Sequence, residues 1–411
     1  MKLLILGLNY APEPVGIGPY TTGLAEEMAS RGHQVEVVAG KPYYPQWRPY
    51  AGQPKGRTDT VENGVNVTRV PHYVPATPNG SRRLLHHASF ALSASAPMMA
   101  AARQNPDLVL AIAPSLMSVP IAARAAGRAH APLWVHIQDF EVEAAFATNL
   151  VKGGGPVERC ARAVEHRILQ SAARVSTISP QMCAKLIEKG VPPERIYELR
   201  NWSNATFAPN DTHGAAYRQE WGIGDRKVAL YSGNIANKQG IEIVIEAAQL
   251  LRHRSDLVFV ICGEGPNRIR LAQMAEGLAN VQLHDLQPAE RMGDLLSLAS
   301  LHLLPQIPGA ADLVLPSKLT NMLQSGRPVI ATADPGTGLY AEVDGCGRLA
   351  APGDAQALAD AIISLIDDEA ARLELGQAAL VRARERWGRK SILDSLESAI
   401  QELVRGRSTG A

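Results

Sequence analysis

The stretch from Asp312 to Ile330 reads D-L-V-L-P-S-K-L-T-N-M-L-Q-S-G-R-P-V-I, and the fold follows from how its parts join. Leu313 to Leu315 is apolar and strand-like. Pro316 suits the first turn of a helix, where its missing N–H costs nothing. Ser317 and Lys318 follow at once, Gly326 closes the helix, and Val329–Ala331 reads as the next strand. A helix start that carries a hydroxyl, an ammonium and free backbone N–H groups is a ready anion site.

Working outward, the same alternation fills the chain. In the first half the strand candidates are Leu3–Leu8, Val35–Ala39, Val65–Val70, Val109–Ile112, Leu133–Ile137 and Val175–Ile178, with helices such as Thr21–Arg31, Ser115–Ala129, Val157–Ser171 and Pro180–Lys189 between them. The second half restarts with Val228–Ser232, Leu257–Cys262, Val281–Leu283 and Leu301–Leu304. Short apolar runs separated by helical periods predict an α/β chain with parallel, doubly wound sheets. The polar, turn-rich Asn201–Gly214 reads as a linker. The expected organisation is a first Rossmann-like domain at 1–203, a second at 204–386, and a C-terminal helix at 387–411 after a break at Trp387-Gly388. Ligands of open α/β sheets sit beyond the carboxyl ends of the strands. The motifs of interest follow strands, so they are expected to face a cleft between the domains.

Bulk composition narrows the function. A chain of 411 residues, 46% hydrophobic, can bury more than one core. A formal charge of +1 gives no reason to expect a nucleic-acid partner. Cys160, Cys183, Cys262 and Cys346 are scattered with no C-x-x-C pair, which points to a reducing cytoplasm without disulfides or a zinc site. The apolar opening M-K-L-L-I-L breaks at Gly7 and reads as a buried strand rather than a signal sequence. No stretch approaches the roughly 20 apolar residues of a spanning helix.

Five segments hold residues suited to chemistry. The first is the loop N-Y-A-P-E-P-V-G-I-G-P-Y from Asn9, whose Gly16 and Gly18 let backbone approach a ligand. Its next glycine, Gly23, comes too late for a dinucleotide fingerprint, so NAD is disfavoured. The second, W-V-H-I-Q-D-F-E-V-E from Trp134, ends a buried strand with His136, Gln138, Asp139, Glu141 and Glu143. Ionisable groups there are costly unless used or solvated. Asp139 and His136 are the catalytic candidates, with helix capping as the plain alternative. Period-two alternation sets them on opposite faces unless the strand ends first. The third, Y-S-G-N-I-A-N-K-Q-G from Tyr231, offers Gly233, Asn234 and Lys238 as a phosphate cradle. The fourth, I-C-G-E-G-P-N from Ile261, offers Gly263 and Gly265 for close backbone approach to a base or ribose, and Glu264 for ribose hydroxyls. The fifth, P-Q-I-P-G-A-A-D from Pro305, has small residues at Gly309, Ala310 and Ala311, then Asp312, suited to wrapping a sugar ring. Lys238 and the Pro316–Lys318 helix start form two converging anion sites, which suggests a diphosphate and so a nucleotide-activated ligand.

Taken together, S-G-N-I-x-x-K-x-G, G-E-G-P and L-P-S-K-L-x-N-M-L-x-S-G-R-P-V-I resemble the donor half of glycosyltransferase family 4, which has the GT-B fold. The resemblance extends to the N-terminal G-x-G loop and to a C-terminal helix that crosses back to the first domain. H-I-Q-D-F-E-V-E-A-A-F and A-D-L-V-L-P-S-K-L-T-N-M-L are most similar to the colanic-acid-type exopolysaccharide glycosyltransferases, a group that includes fucosyltransferases. The resemblance implies retaining transfer from a nucleoside diphosphate sugar, GDP-fucose being the implied donor, with no required metal or other cofactor. By the same resemblance Lys238 neutralises the diphosphate, Ser317 and Lys318 form the phosphate-binding helix start, and Asp139 is the acidic catalytic-strand residue. The chain departs from the family where a pair of donor-segment glutamates is usual, since Leu313 and Asn321 stand there. Gln138 stands where many members have histidine directly before the acidic residue, and Asn234 where arginine is common.

The implied acceptor is a lipid-linked oligosaccharide. The segment S-R-R-L-L-H-H-A-S-F-A-L-S-A-S-A-P-M-M-A-A-A-R, Ser81 to Arg103, begins basic and continues apolar. It suits peripheral contact with an anionic membrane face through Arg82, Arg83, His86 and His87, or else a packed helix broken at Pro97. A cytoplasmic protein at the inner face of the membrane is the expectation. A GT-B-type sugar-nucleotide epimerase and a non-catalytic nucleotide-sugar-binding relative share the same motifs and stand as alternatives.

Overall fold

The structure is a computed structural model that describes residues 1–14, 16–77, 80–113, 115–140, 155–203, 214–235, 239–307 and 317–408. The chain divides into two compact units, Met1–Asn201 with Ile392–Ala411, and Trp202–Ser391.

The first unit is built from β1 (Lys2–Gly7), α1 (Gly18–Ser30), β2 (Gln34–Gly40), β3 (Thr58–Glu62), β4 (Val65–Val70), α2 (Gly80–Ala101), β5 (Leu108–Ala113), α3 (Val119–Ala129), β6 (Leu133–Ile137), α4 (Pro156–Ser171), β7 (Arg174–Thr177), α5 (Pro180–Glu188) and β8 (Ile196–Glu198). Its sheet runs β3-β4-β2-β1-β5-β6-β7-β8. Every pair is parallel except β3 with β4. β1 and β5 are buried along nearly their whole length, as a strand covered on both faces must be.

The second unit contains α6 (Ala215–Glu220), β9 (Lys227–Ser232), α7 (Glu242–Leu250), β10 (Leu257–Cys262), α8 (Arg268–Met274), β11 (Val281–His284), α9 (Met292–Leu298), β12 (Leu301–Leu304), α10 (Ser317–Gln324), β13 (Val329–Thr332), α11 (Gly338–Val343), β14 (Gly347–Ala350), α12 (Ala355–Ile366) and α13 (Glu369–Trp387). Its parallel sheet runs β11-β10-β9-β12-β13-β14. Strand periodicity explains the helices on both faces. Ala229, Tyr231, Phe259 and Ile261 join one core with α7 and α12. Their neighbours Val228, Leu230, Val258 and Val260 join another with Tyr217 of α6 and Leu295 of α9. The last helix, α14 (Arg389–Ser408), begins in the second unit and ends in the first.

Four sequence expectations need correction. α1 begins at Gly18 rather than Thr21, because Pro19 sits in its first turn, where proline is favoured. The short strands β3, β8 and β14 carry too little apolar pattern to be read from sequence. α2 does not break at Pro97, which lies inside it. His86 and His87 are buried rather than available to a surface.

Candidate active site

The second unit gathers its polar residues where β9 and β10 end. Tyr231, the penultimate residue of β9, is wholly buried. Its hydroxyl donates to the Asn234 carbonyl at 2.6 Å and accepts from Lys318 Nζ at 2.9 Å. The Lys318 ammonium also stands 4.1 Å from the centre of the Tyr231 ring. An ammonium over an aromatic face is held by the ring quadrupole as well as by the hydrogen bond. Burial pushes the Lys318 pKa down to about 8. Lys318 is the second residue of α10, and a Cβ on Gly233 would lie 3.5 Å from its Nζ. The lysine of the helix start and the glycine of the β9 loop, singled out separately in the sequence, therefore meet.

Gly263 and Gly265 are required by that same loop. A Cβ on Gly263 would lie 1.9 Å from the Gly233 carbonyl oxygen, and one on Gly265, at φ 154, would lie 2.1 Å from that of Ile235. At both glycines the protein's own backbone comes close. Gly233 N donates to Cys262 O at 2.9 Å and Ile235 N to Glu264 O at 2.8 Å. Arg268 donates to the carbonyls of Gly263 and His284, each at 2.8 Å, and locks the turn from below. Glu264 and Asn234 project into solvent. Asn321 accepts from the Ser203 hydroxyl at 3.2 Å, so the residue in the usual glutamate position has a protein partner. Lys238, Gly309, Ala310, Ala311, Asp312 and Pro316 lie outside the described residues, as does the side chain of Ser317.

In the first unit, β6 ends in a polar chain. Gln138 Nε2 donates to Asn201 Oδ1 at 2.9 Å and approaches His136 Nε2 at 3.0 Å, while Asn201 Nδ2 returns a bond to Gln138 Oε1 at 2.8 Å. An amide nitrogen only donates, so His136 Nε2 accepts and its proton sits on Nδ1. Nδ1–H then donates to Ser176 Oγ at 2.9 Å, beside the Trp134 indole N–H at 2.8 Å. Burial holds the His136 pKa down at about 4, so the ring is neutral at pH 7. With both nitrogens engaged and the ring buried, His136 is held in a hydrogen-bonded chain with Gln138 and Ser176. Asp139 follows in an exposed position, outside this chain. Glu141 and Glu143 lie outside the described residues.

The first loop is fixed by a residue not singled out in the sequence. Glu13 is buried and accepts from Tyr43 N at 2.8 Å, Tyr44 N at 2.9 Å and Asn9 Nδ2 at 2.8 Å. Burial nonetheless raises its pKa, outweighing those three donors. Gly16 lies against the Tyr44 ring and Gly18 against Glu13. Arg82 and Arg83 are exposed at the start of α2. Tyr231 and Glu13 were missed for one reason: the partners of each, Lys318 and the Asn234 carbonyl for Tyr231 and the Tyr43 and Tyr44 N–H groups with Asn9 for Glu13, are brought together only by folding.

Two Rossmann-like parallel sheets, with a lysine-bearing helix start set against a glycine loop, define the GT-B class of glycosyltransferases. Residues 15–202 match the Glycosyl transferase 4-like domain and residues 215–382 match Glycosyl transferases group 1. The chain is 42% identical over 341 residues to the colanic acid biosynthesis glycosyl transferase WcaI of Escherichia coli (strain K12), covering 81% of this chain and 84% of that protein. It is 28% identical over 250 residues to the alpha-D-kanosaminyltransferase of Streptomyces kanamyceticus, covering 59% of this chain and 64% of that one. Among solved structures, HepE of Anabaena in complex with UDP superposes with a TM-score of 0.66 at 17% identity, covering 98% of this chain and 100% of that one. The sucrose-phosphate synthase of Thermosynechococcus elongatus gives 0.69 at 18%, covering 98% and 99%. The chain belongs to glycosyltransferase family 4 and is a glycosyltransferase.

Proposed function

We propose that this glycosyltransferase moves a sugar, with GDP-fucose as the implied donor, from its nucleoside diphosphate to a lipid-linked oligosaccharide during exopolysaccharide assembly. The observation that carries the donor half of this reading is Lys318, held by Tyr231 over the Gly233 loop at the start of α10. The likeness to WcaI supports the exopolysaccharide context, and the UDP complex of HepE supports a nucleotide donor in this fold. The diphosphate lies along the Gly233–Lys238 loop and the α10 start. As the bond from C1 to the phosphate oxygen breaks, negative charge grows on the leaving diphosphate. Lys318, Lys238 and backbone N–H groups then stabilise the transition state more than the ground state.

In this reading the path is front-face. The acceptor oxygen bonds to C1 on the side that the diphosphate leaves, its proton passes to a leaving phosphate oxygen, and the anomeric configuration is retained. Asp139 orients the acceptor, and catalysis needs no metal. The reaction takes place at the cytoplasmic face of the membrane that holds the acceptor.

The test is a thermal-shift screen against GDP, UDP, ADP, dTDP and NAD. A ligand that binds only the folded state raises its apparent stability. A selective rise with GDP is the expected result. A rise with another nucleoside diphosphate replaces the base, and a rise with NAD alone overturns the reading. Product analysis with the donor so identified, in the presence of a chelator, checks both the anomer and metal independence.

A further inference from the structure

The segment read from sequence as a linker opens on residues that are firmly held. Asn201 is the last residue of the first unit and Trp202 the first of the second. Asn201 exchanges two amide hydrogen bonds with Gln138, at 2.9 and 2.8 Å, inside the first unit. Ser203 is held twice inside the second. Its N–H donates to the Trp387 carbonyl at 3.0 Å, and its hydroxyl donates to Asn321 Oδ1 at 3.2 Å. Trp202 is buried, with the Arg389 guanidinium 5.8 Å from the centre of its ring.

The Asn321 bond matters because of where it falls on α10. Asn321 follows Lys318 by three residues, and residues at that spacing share a helix face. Elsewhere α10 packs Leu319, Met322 and Leu323 against Ala379, Ala383 and Trp387 of α13. Apolar packing is non-directional, whereas a hydrogen bond has a preferred direction. Packing therefore seats α10 but sets its rotation about its own axis less sharply than hydrogen bonds do. On the polar face Lys318 bonds to Tyr231 and, about one turn later, Asn321 bonds to Ser203. Ser203 in turn is tied by its backbone to the end of α13, the helix on which α10 rests. The chain thus runs from the α13 end through Ser203 and Asn321 to the helix turn that presents Lys318.

We propose that Ser203 is a positioning residue for the phosphate-binding lysine: through Asn321 it fixes the rotation of α10 and so holds the Lys318 ammonium over the Gly233 loop. It touches no ligand itself. The proposal rests on the donor-site reading of Lys318 given above.

The experiment is calorimetric titration of full-length variants with whichever nucleoside diphosphate the thermal-shift screen selects. Ser203→Ala should weaken binding about fivefold, the worth of one hydrogen bond. Ser203→Thr, which keeps the hydroxyl, should restore it. The pH at which binding falls should also rise in Ser203→Ala, from about 8 toward about 10, because a turned α10 takes Lys318 out of its buried place beside Tyr231. A general loss of stability would not move that pH. Ser203→Ala combined with Asn321→Ala should cost no more than Asn321→Ala alone, as partners in one bond do. Asn201→Ala, which breaks the neighbouring bonds of the first unit, should leave nucleotide binding unchanged. A cooperative thermal transition shows that each variant is folded, and Asn321→Ala reaches the same bond from its other side if Ser203→Ala is not. Unaltered binding and an unmoved pH profile in Ser203→Ala overturn the proposal. So do a loss in Ser203→Thr equal to that in Ser203→Ala, additive losses in the double variant, or an equal loss in Asn201→Ala. Lys318→Ala separates the two readings. If it too leaves binding unaltered, the donor-site reading of Lys318 falls; if it weakens binding while Ser203→Ala does not, only the role of Ser203 falls.

Discussion

Lys318 shows how one side chain gets its chemistry from its surroundings. A lysine ammonium in water keeps its proton up to about pH 10, whereas burial beside Tyr231 brings this one's pKa down to about 8. It is therefore a cation below that pH and neutral above it, and a diphosphate binds the cation. Affinity for the nucleoside diphosphate should hold at neutral pH and fall as pH rises through about 8. Calorimetric titration across that range measures it, and a flat profile would exclude Lys318 from the phosphate site. Lys318→Ala should lower turnover by about a hundredfold, the usual cost of removing one fixed group that stabilises transition-state charge. Tyr231→Phe keeps the ring under the ammonium but removes the hydroxyl, so it should cost less than the lysine change and shift the pH profile.

At the scale of elements, the sequence was legible where burial imposed a pattern. β1, β5, β9 and β10 are continuous apolar runs, and both their order and the doubly wound class were readable from them. The edge strands were not, since T-D-T-V-E and I-Y-E show no buried face to detect. The P-S-K helix start and the S-G-N loop were both visible and expected to converge, but the direct contact of Lys318 with Gly233 was not. That contact depends on the β9-β12 pairing across the middle of the sheet. His86 and His87 misled for a simpler reason: next to two arginines they look like surface residues, yet only the arginines point outward.

Those histidines form an acid-sensitive cluster. The ring centres of His72 and His86 are 4.9 Å apart and those of His86 and His87 are 5.1 Å apart, with Tyr43 and Trp47 beside them and Arg83 nearby. Burial first, then neighbouring positive charge, lowers His72 to about 4 and His87 to about 3, and burial lowers His86 as well. Unfolded histidines take up protons near pH 6.5. Stability should therefore be full above that value and fall steadily as pH drops toward about 4, because only the unfolded chain gains the protons. Denaturant titrations over that interval measure the slope. His72→Phe should make it shallower, and an unchanged slope would place the acid sensitivity elsewhere.

At the scale of the whole molecule, the main feature is a first unit assembled from two separated pieces of chain. Its second piece, within α14, brings buried Leu393, Leu396 and Ile400. Arg31 binds Asp394 at 2.9 Å and Glu397 at 2.8 Å, and His33 meets Glu397 at 2.8 Å. Leu396→Ala should destabilise this unit by about 3 kcal/mol through the cavity it leaves. In scanning calorimetry the nucleotide should raise the transition of the second unit, and Leu396→Ala should lower a different one. A single transition moved by both would show that the units unfold together.

The two-piece first unit also imposes an order on biosynthesis. A ribosome makes the chain from one end, and domains fold as they are completed. The second unit, Trp202–Ser391, is one unbroken stretch and has all its parts as soon as it emerges. The first unit, begun earlier, still lacks its share of α14 at that moment, so the half of the molecule that is synthesised first is the half that matures last.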